Sequence, residues 1–154
     1  MKMCKIIAAC ITCMIVSTTV WGEENTTKEE CVAMCKKALA VATEKGVDEM
    51  LRQVGDINGP FVWKDSYIYA IDLNTGMVAA HPIKPALVGK DMSGIKDIHG
   101  KMFFVEKINM AKEKGEGWVD YMWPKPGEKT PSSKTAYVIK VPGEPYAISA
   151  GVYN

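Results

Sequence analysis

Ser66-Tyr67-Ile68-Tyr69-Ala70-Ile71-Asp72, followed by Leu73-Asn74-Thr75-Gly76 and then Met77-Val78-Ala79-Ala80-His81, is the stretch that decides how this chain folds. Aromatic and β-branched residues fill its first seven positions with an alternating period, which suits a strand and no helix. Asn74-Thr75-Gly76 reads as a tight hairpin turn, with residues 77–81 as the returning partner strand. Asp72, just ahead of that turn, is best explained as a turn-former whose carboxylate takes backbone N–H groups.

Toward the N-terminus the period becomes helical. Asn58-Gly59-Pro60 is a turn. Before it, Thr26-Thr27-Lys28-Glu29-Glu30 gives a capping threonine with a carboxylate three residues on, the start of a long helix. That helix runs through an alanine-rich stretch to Lys45-Gly46, where glycine can stop it. Asp48 is expected to cap a second short helix, Glu49 to Val54.

Toward the C-terminus, Pro82 and Pro85 end the second strand, and Gly89 to Gly100 reads as loop with short turns. Lys101 to Lys114 is helical, with Phe103, Phe104, Ile108 and Ala111 on one apolar side. Gly115 and Gly117 break it. Three strands follow: Trp118 to Trp123, Lys134 to Val141, and Tyr146 to Tyr153. The expected fold is α+β, a five-stranded antiparallel sheet with a long N-terminal helix and a helical crossover. The chain shows no internal repeat and no linker, so one domain is expected over residues 23–154.

Residues 1–22 have the composition of an export signal. Lys2 and Lys5 precede an apolar run from Ile6 to Val16, and Val20-Trp21-Gly22 leads into Glu23-Glu24. The run is shorter than the roughly 20 residues a membrane span needs. Cleavage after Gly22 is the expectation, against an uncleaved anchor and a lipoprotein using Ile7-Ala8-Ala9-Cys10. Without the leader, 132 residues remain, carrying 17 Lys/Arg and 18 Asp/Glu, a formal charge of −1. No basic surplus argues for nucleic acid. The mature chain is therefore expected to be soluble, in the periplasm or secreted.

Three of the five cysteines leave with the leader. Cys31 and Cys35 remain, spaced four apart on one helix face with Ala38, Leu39 and Ala42. Three readings stay open: packed apolar thiols, a disulfide within the helix or between chains, and a metal or haem site. Two thiols are too few for a zinc site, and no Cys-His follows for haem. No cofactor and no metal are expected.

An ordered set of fragments runs along the chain: Gly59-Pro60-Phe61, Tyr67-x-Tyr69-x-x-Asp72, Gly76, His81-Pro82, Gly89-Lys90, Asp97-x-x-Gly100-Lys101, Gly115-x-Gly117-Trp118-Val119-x-Tyr121-x-Trp123-Pro124-x-Pro126, Lys134-x-x-Tyr137 and Gly151-Val152-Tyr153. In this the chain resembles the single Cache domain, type 2, an extracellular relative of the PAS fold. The resemblance implies a long N-terminal helix against a PAS-like sheet and a small-ligand pocket between the sheet and the crossover. It also implies a sensory role, because such domains usually form the sensing part of bacterial chemoreceptors and histidine kinases. Many bind small organic acids or amines. Neither a second transmembrane helix nor an output module follows Asn154 here, so a free-standing exported version is expected.

The chemistry read from the residues points the same way. His81 and His99 are the two histidines, in no metal-binding spacing, and no nucleophile motif or phosphate loop is present. An enzyme is not expected. Aromatic rings gather around a few polar groups instead: Tyr67 and Tyr69 on one strand face, Tyr121 and Trp123 on another. Ligand pockets have such walls, and with the resemblance these rings are read as pocket lining. Lys134 is the candidate partner for a ligand carboxylate, with His81 as a second donor. Trp118 and Tyr137 complete the candidate set, Trp118 also reading as a core anchor. Asp97 is expected to cap the crossover loop, the rival reading being that it holds that loop over the pocket.

The expected function is binding of a small molecule, a carboxylate by preference, with presentation to a membrane receptor partner. The alternative is a structural Cache-like module without ligand, forming a homodimer through the N-terminal helix.

Overall fold

The structure, a computed structural model, describes residues 25–154. The expected leader, residues 1–22, lies outside the described residues. The long helix, α1 (Lys28–Lys45), opens on a complete capping box: the Thr27 hydroxyl accepts from Glu30 N–H at 3.2 Å, and the Glu30 carboxylate accepts from Thr27 N–H at 2.9 Å. Gly46 ends it at φ +90°, and α2 (Val47–Gly55) begins at once. Asp48 therefore lies in the first turn of α2 and is not its cap. The next helix begins too soon after α1 for a capping residue to intervene.

The decisive stretch carries two short strands where the alternation predicted one. β1 (Val62–Trp63) pairs with β2 (Ser66–Tyr67) in a small separate ribbon, and β3 (Tyr69–Asp72) belongs to the main sheet. Ile68 is the joint, its N–H donated to the Phe61 carbonyl at 2.9 Å. The hairpin turn forms as expected. Asp72 Oδ1 takes the N–H groups of Asn74 and Thr75, and Gly76 stands at φ +73°. β4 (Val78–Ala80) returns beside β3.

A 3-10 turn (Pro85–Leu87) and a loop lead to α3 (Phe103–Lys114). The meander follows: β5 (Glu116–Pro124), β6 (Pro131–Lys140) and β7 (Tyr146–Tyr153). The main sheet is antiparallel throughout, in the order β4-β3-β7-β6-β5. This is the α+β architecture expected from the sequence, with β7 central and β4 and β5 on the rims.

Side chains alternate across the sheet, and each face has its own core. One face presents Ala70, Tyr137, Ile148, Ala150 and Val152 to α1 and α2, where Cys31, Cys35, Ala38, Met50, Val54 and Phe61 are buried against it. The other presents Tyr69, Ile71, Val119, Tyr121, Ala136 and Ala147 to α3 and the crossover, where Phe103, Phe104, Ile108, Ala111 and Met92 are buried. Cys31 and Cys35 are free, buried thiols. Burial pushes the Cys31 thiol up to about 11, and Cys35 further up. Both thiols pack in this core and no bond joins them within the chain.

Candidate functional site

Parity of strand position decides which side chains meet beneath α3. Tyr121 is in register with Lys134, and Lys134 with Tyr153; Tyr69 is in register with Ser149. All five occupy the α3 face. Tyr67 and His81 reach the same space from β2 and from the residue after β4. Their rings lie 5.0 Å apart, and His81 lies 5.4 Å from Tyr69. A cavity of about 20 Å³, room for about one water, sits among Tyr67, Tyr69, His81, Phe103, Phe104, Tyr121 and Trp123, roofed by Val78, Leu87 and Met92.

Two lysines stand behind this lining. Lys107, from α3, is 0% exposed and donates to Tyr69 Oη at 2.7 Å and Tyr121 Oη at 2.9 Å. Lys134, from β6, is 1% exposed and donates to Tyr153 Oη at 3.1 Å, with the Tyr67 ring 4.5 Å from its ammonium. Among the described residues neither meets a carboxylate at ion-pair distance. Aromatic faces and phenol oxygens are what stabilise the two amines.

Lys134 fits because its strand neighbour lacks a side chain. A Cβ at Gly151 would stand 2.8 Å from Lys134 Cε, so the lysine stem lies flat across the glycine. Burial then acts on every titratable group. It lowers Lys134 to about 7 and Lys107 well below its usual value, the neighbouring Lys134 charge adding to the effect on Lys107. It lowers His81 to about 3, helped by Lys134, Lys84 and Lys107, so the imidazole is neutral. His81 Nδ1 accepts from Lys84 N–H at 3.1 Å, which leaves the ring hydrogen on Nε2. Burial also raises Tyr67 to about 12 and keeps Tyr69 and Tyr121 as neutral phenols. The site offers hydrogen-bond donors and two buried amines, and among the described residues no carboxylate lies at ion-pair distance from either amine.

The sequence pattern of the family described as Cache domain matches residues 33–154. The chain belongs to the Cache domain family. It is 37% identical over 89 residues to the methyl-accepting chemotaxis protein McpP of Pseudomonas putida, a match covering 58% of this chain and 16% of that protein. The chain thus spans about a sixth of the length of this curated relative. Among solved structures it is similar to a periplasmic sensor domain of a chemotaxis protein, with a TM-score of 0.65 and 28% identity over 81% of this chain and 88% of that one. A Cache chemosensory domain described for carboxylic acid recognition superposes with a TM-score of 0.65 and 30% identity, over 79% of this chain and 84% of that one. A methyl-accepting chemotaxis protein from Vibrio parahaemolyticus shares the fold, at 21% identity and a TM-score of 0.69. This is a Cache sensor domain homologous to the periplasmic domains of chemotaxis receptors, a ligand-sensing and not an enzymatic kind of domain. Among the described residues no helix is long and apolar enough to cross a membrane, and no group of His, Cys, Asp or Glu could hold a metal ion.

Within this Cache domain the structure brings together Tyr67, Tyr69, His81, Tyr121, Trp123 and Lys134. It does not bring Trp118 or Tyr137 to them. Both lie on the α1 face, their rings 5.2 Å apart, with Lys28 over Trp118 and the Tyr137 hydroxyl on the Glu116 carboxylate. The reason is parity: Trp118 is three residues from Tyr121 and Tyr137 three from Lys134, so each points to the opposite face. Asp97 caps the loop, as expected, and also ties it to β5. Its Oδ1 takes the N–H groups of His99 and Lys101 within the loop, and its Oδ2 takes Met122 N–H on β5.

Sequence reasoning missed Lys107 and Tyr153. Lys107 carried a usable signal, because it falls inside the stripe Phe103, Phe104, Ile108 and Ala111, where a solvated lysine has no place. Tyr153 ends its strand and pairs with Lys134 only through the register of β6 with β7.

Proposed function

We propose that this Cache domain works outside the cytoplasm, after loss of residues 1–22, as a sensor for a small organic acid bound as its carboxylate beneath α3. The observation that carries this reading is the pair of buried lysines, Lys107 of α3 and Lys134 of β6, in the layer between α3 and the sheet, with no carboxylate at ion-pair distance among the described residues. An uncompensated buried ammonium is costly, and a ligand carboxylate would supply the missing charge together with charge-assisted hydrogen bonds. Lys134 and the Tyr69 and Tyr121 hydroxyls would hold the carboxylate, with His81 Nε2–H as a further donor. The phenyl and indole walls limit the remainder of the ligand to a short carbon chain. The likeness to a Cache domain described for carboxylic acid recognition supports the same class. The bound form would be presented to a membrane signalling or transport partner.

The cavity as it stands holds about one water, so entry of an acid requires the crossover loop to move outward. That small volume also favours a second reading, a closed Cache module that forms a homodimer through α1 and takes no ligand. A thermal-shift screen of the exported protein against short mono- and dicarboxylates, amines and amino acids, followed by calorimetric titration, separates the two. Stabilisation by carboxylates alone supports the first reading. No shift with any compound, together with a dimer by light scattering, supports the second.

A further inference from the structure

The polar face of the sheet is built from bases and phenols. Facing Lys134 are Tyr67 from β2, Tyr121 from β5, Tyr153 from β7 and His81 from the residue after β4. Lys107 of α3, Lys84 of the crossover and the Cys31 thiol of α1 act on it from further away, as does Asp65 in the β1–β2 turn. Asp65 is the one acid among these groups, and its Oδ1 is engaged by Thr26 N–H at 2.9 Å. An amine sealed into such surroundings without a countercharge tends to lose its proton. A carboxylate arriving beside it restores the countercharge, and the proton returns.

We propose that binding of a carboxylate at this site takes up one proton from solution onto Lys134 Nζ, so that the domain reads an organic acid as anion plus proton and not as anion alone. The proposal rests on the small-acid reading above. The step balances: the anion and a solvent proton enter, the neutral amine becomes an ammonium, and the site's net charge is unchanged. Lys134 is the acceptor because of its free valences. Lys107 already donates to two phenol oxygens, at 2.7 and 2.9 Å, whereas Lys134 donates to one, at 3.1 Å, and keeps two N–H positions for a ligand. Burial brings Lys134 down to about 7, which places the exchange in the neutral range. Linkage is reciprocal, so a bound anion raises proton affinity by the factor by which the proton raises anion affinity.

The test is calorimetric titration of the whole domain with acetate at pH 8, in phosphate and in Tris, whose ionisation heats differ widely. The expected difference corresponds to about one proton per acetate, and affinity should weaken about tenfold per pH unit above pH 8. Lys134→Arg, which cannot give up its proton, should bind acetate with equal heats in both buffers and no such weakening. Equal heats for the wild type with measurable binding overturn the proposal, as does proton uptake that survives in Lys134→Arg. If no heat appears with acetate at any pH from 6 to 9, and none with the other short carboxylates, the small-acid reading itself fails and takes this one with it. Should Lys134→Arg not fold, the lysine ¹³Cε titration of the wild type decides. A Lys134 midpoint near 7 that acetate moves up by a unit or more supports the proposal, and a midpoint that acetate leaves unmoved overturns it.

Discussion

The two faces of the sheet are made by the same five strands and have opposite characters. Toward α1 and α2 the core is apolar, filled by thiols, Met50, Val54, Phe61 and small strand residues. Toward α3 an apolar cluster of similar size surrounds two buried lysines, a histidine and the hydroxyls of Tyr67, Tyr69, Tyr121 and Tyr153. A fold gains nothing in stability from unpaired buried ammonium groups. The first face is apolar packing, and the second carries the polar groups on which the proposed ligand site rests.

The comparison breaks most readily through Phe61, 1% exposed on the α1 side. Phe61→Ala should cost about 3–5 kcal/mol of stability while leaving carboxylate affinity of the folded fraction unchanged, as read by urea unfolding and calorimetry. Lys134→Ala should do the converse: affinity for a small carboxylate falls roughly 10- to 150-fold, with no loss of stability. Tyr121→Phe, which keeps the ring, should weaken binding less. If Lys134→Ala binds as tightly as wild type, the anion is held elsewhere.

A third difference lies in pH dependence. Lys134 sits near 7 in the folded protein against 10.5 ordinarily, so between those values the unfolded chain binds the extra proton. Stability should therefore rise with pH across that window, with Lys134 contributing at most about 1.4 kcal/mol per unit and Lys107, also lowered by burial, adding to the rise. Lys134→Met should reduce the rise and leave the share due to Lys107, as urea midpoints at pH 7, 8 and 9 will show. A wild-type curve already flat there would mean that Lys134 keeps its proton. The smallest expected effect sharpens the boundary between the faces: Trp118→Phe and Tyr137→Phe should leave carboxylate affinity within about twofold.

Much of the first face and of the scaffold was legible in the sequence. The capping box at Thr27 and Glu30, the Asp72 turn and the three-strand meander are local signals, each carried by a few adjacent residues. Ile68 was not readable as a joint, because the alternation passes through it unbroken and its partner, the Phe61 carbonyl, lies in another segment. The site was legible only in part, because it depends on parity and register across strands. Trp118 and Tyr137 satisfy the aromatic composition of a pocket and fail its parity, which counting from Tyr121 and Lys134 would have shown. Lys107 could have been found by asking why a charge interrupts an apolar stripe. Tyr153 could not, since nothing local to it announces Lys134.

The crossover loop ties up both rims of the sheet. On one side residues 88–92 run along β4, with Lys90 accepting from Val78 N–H and Gly89 donating to the Val78 carbonyl. On the other, Asp97 occupies Met122 N–H of β5. Free strand rims are templates for self-association, and here one segment both roofs the cavity and masks them. An outward movement of this loop would uncover the Val78 backbone of β4 and the Met122 N–H of β5 together, so strand pairing between copies is expected to be faster in an open form than in the closed one.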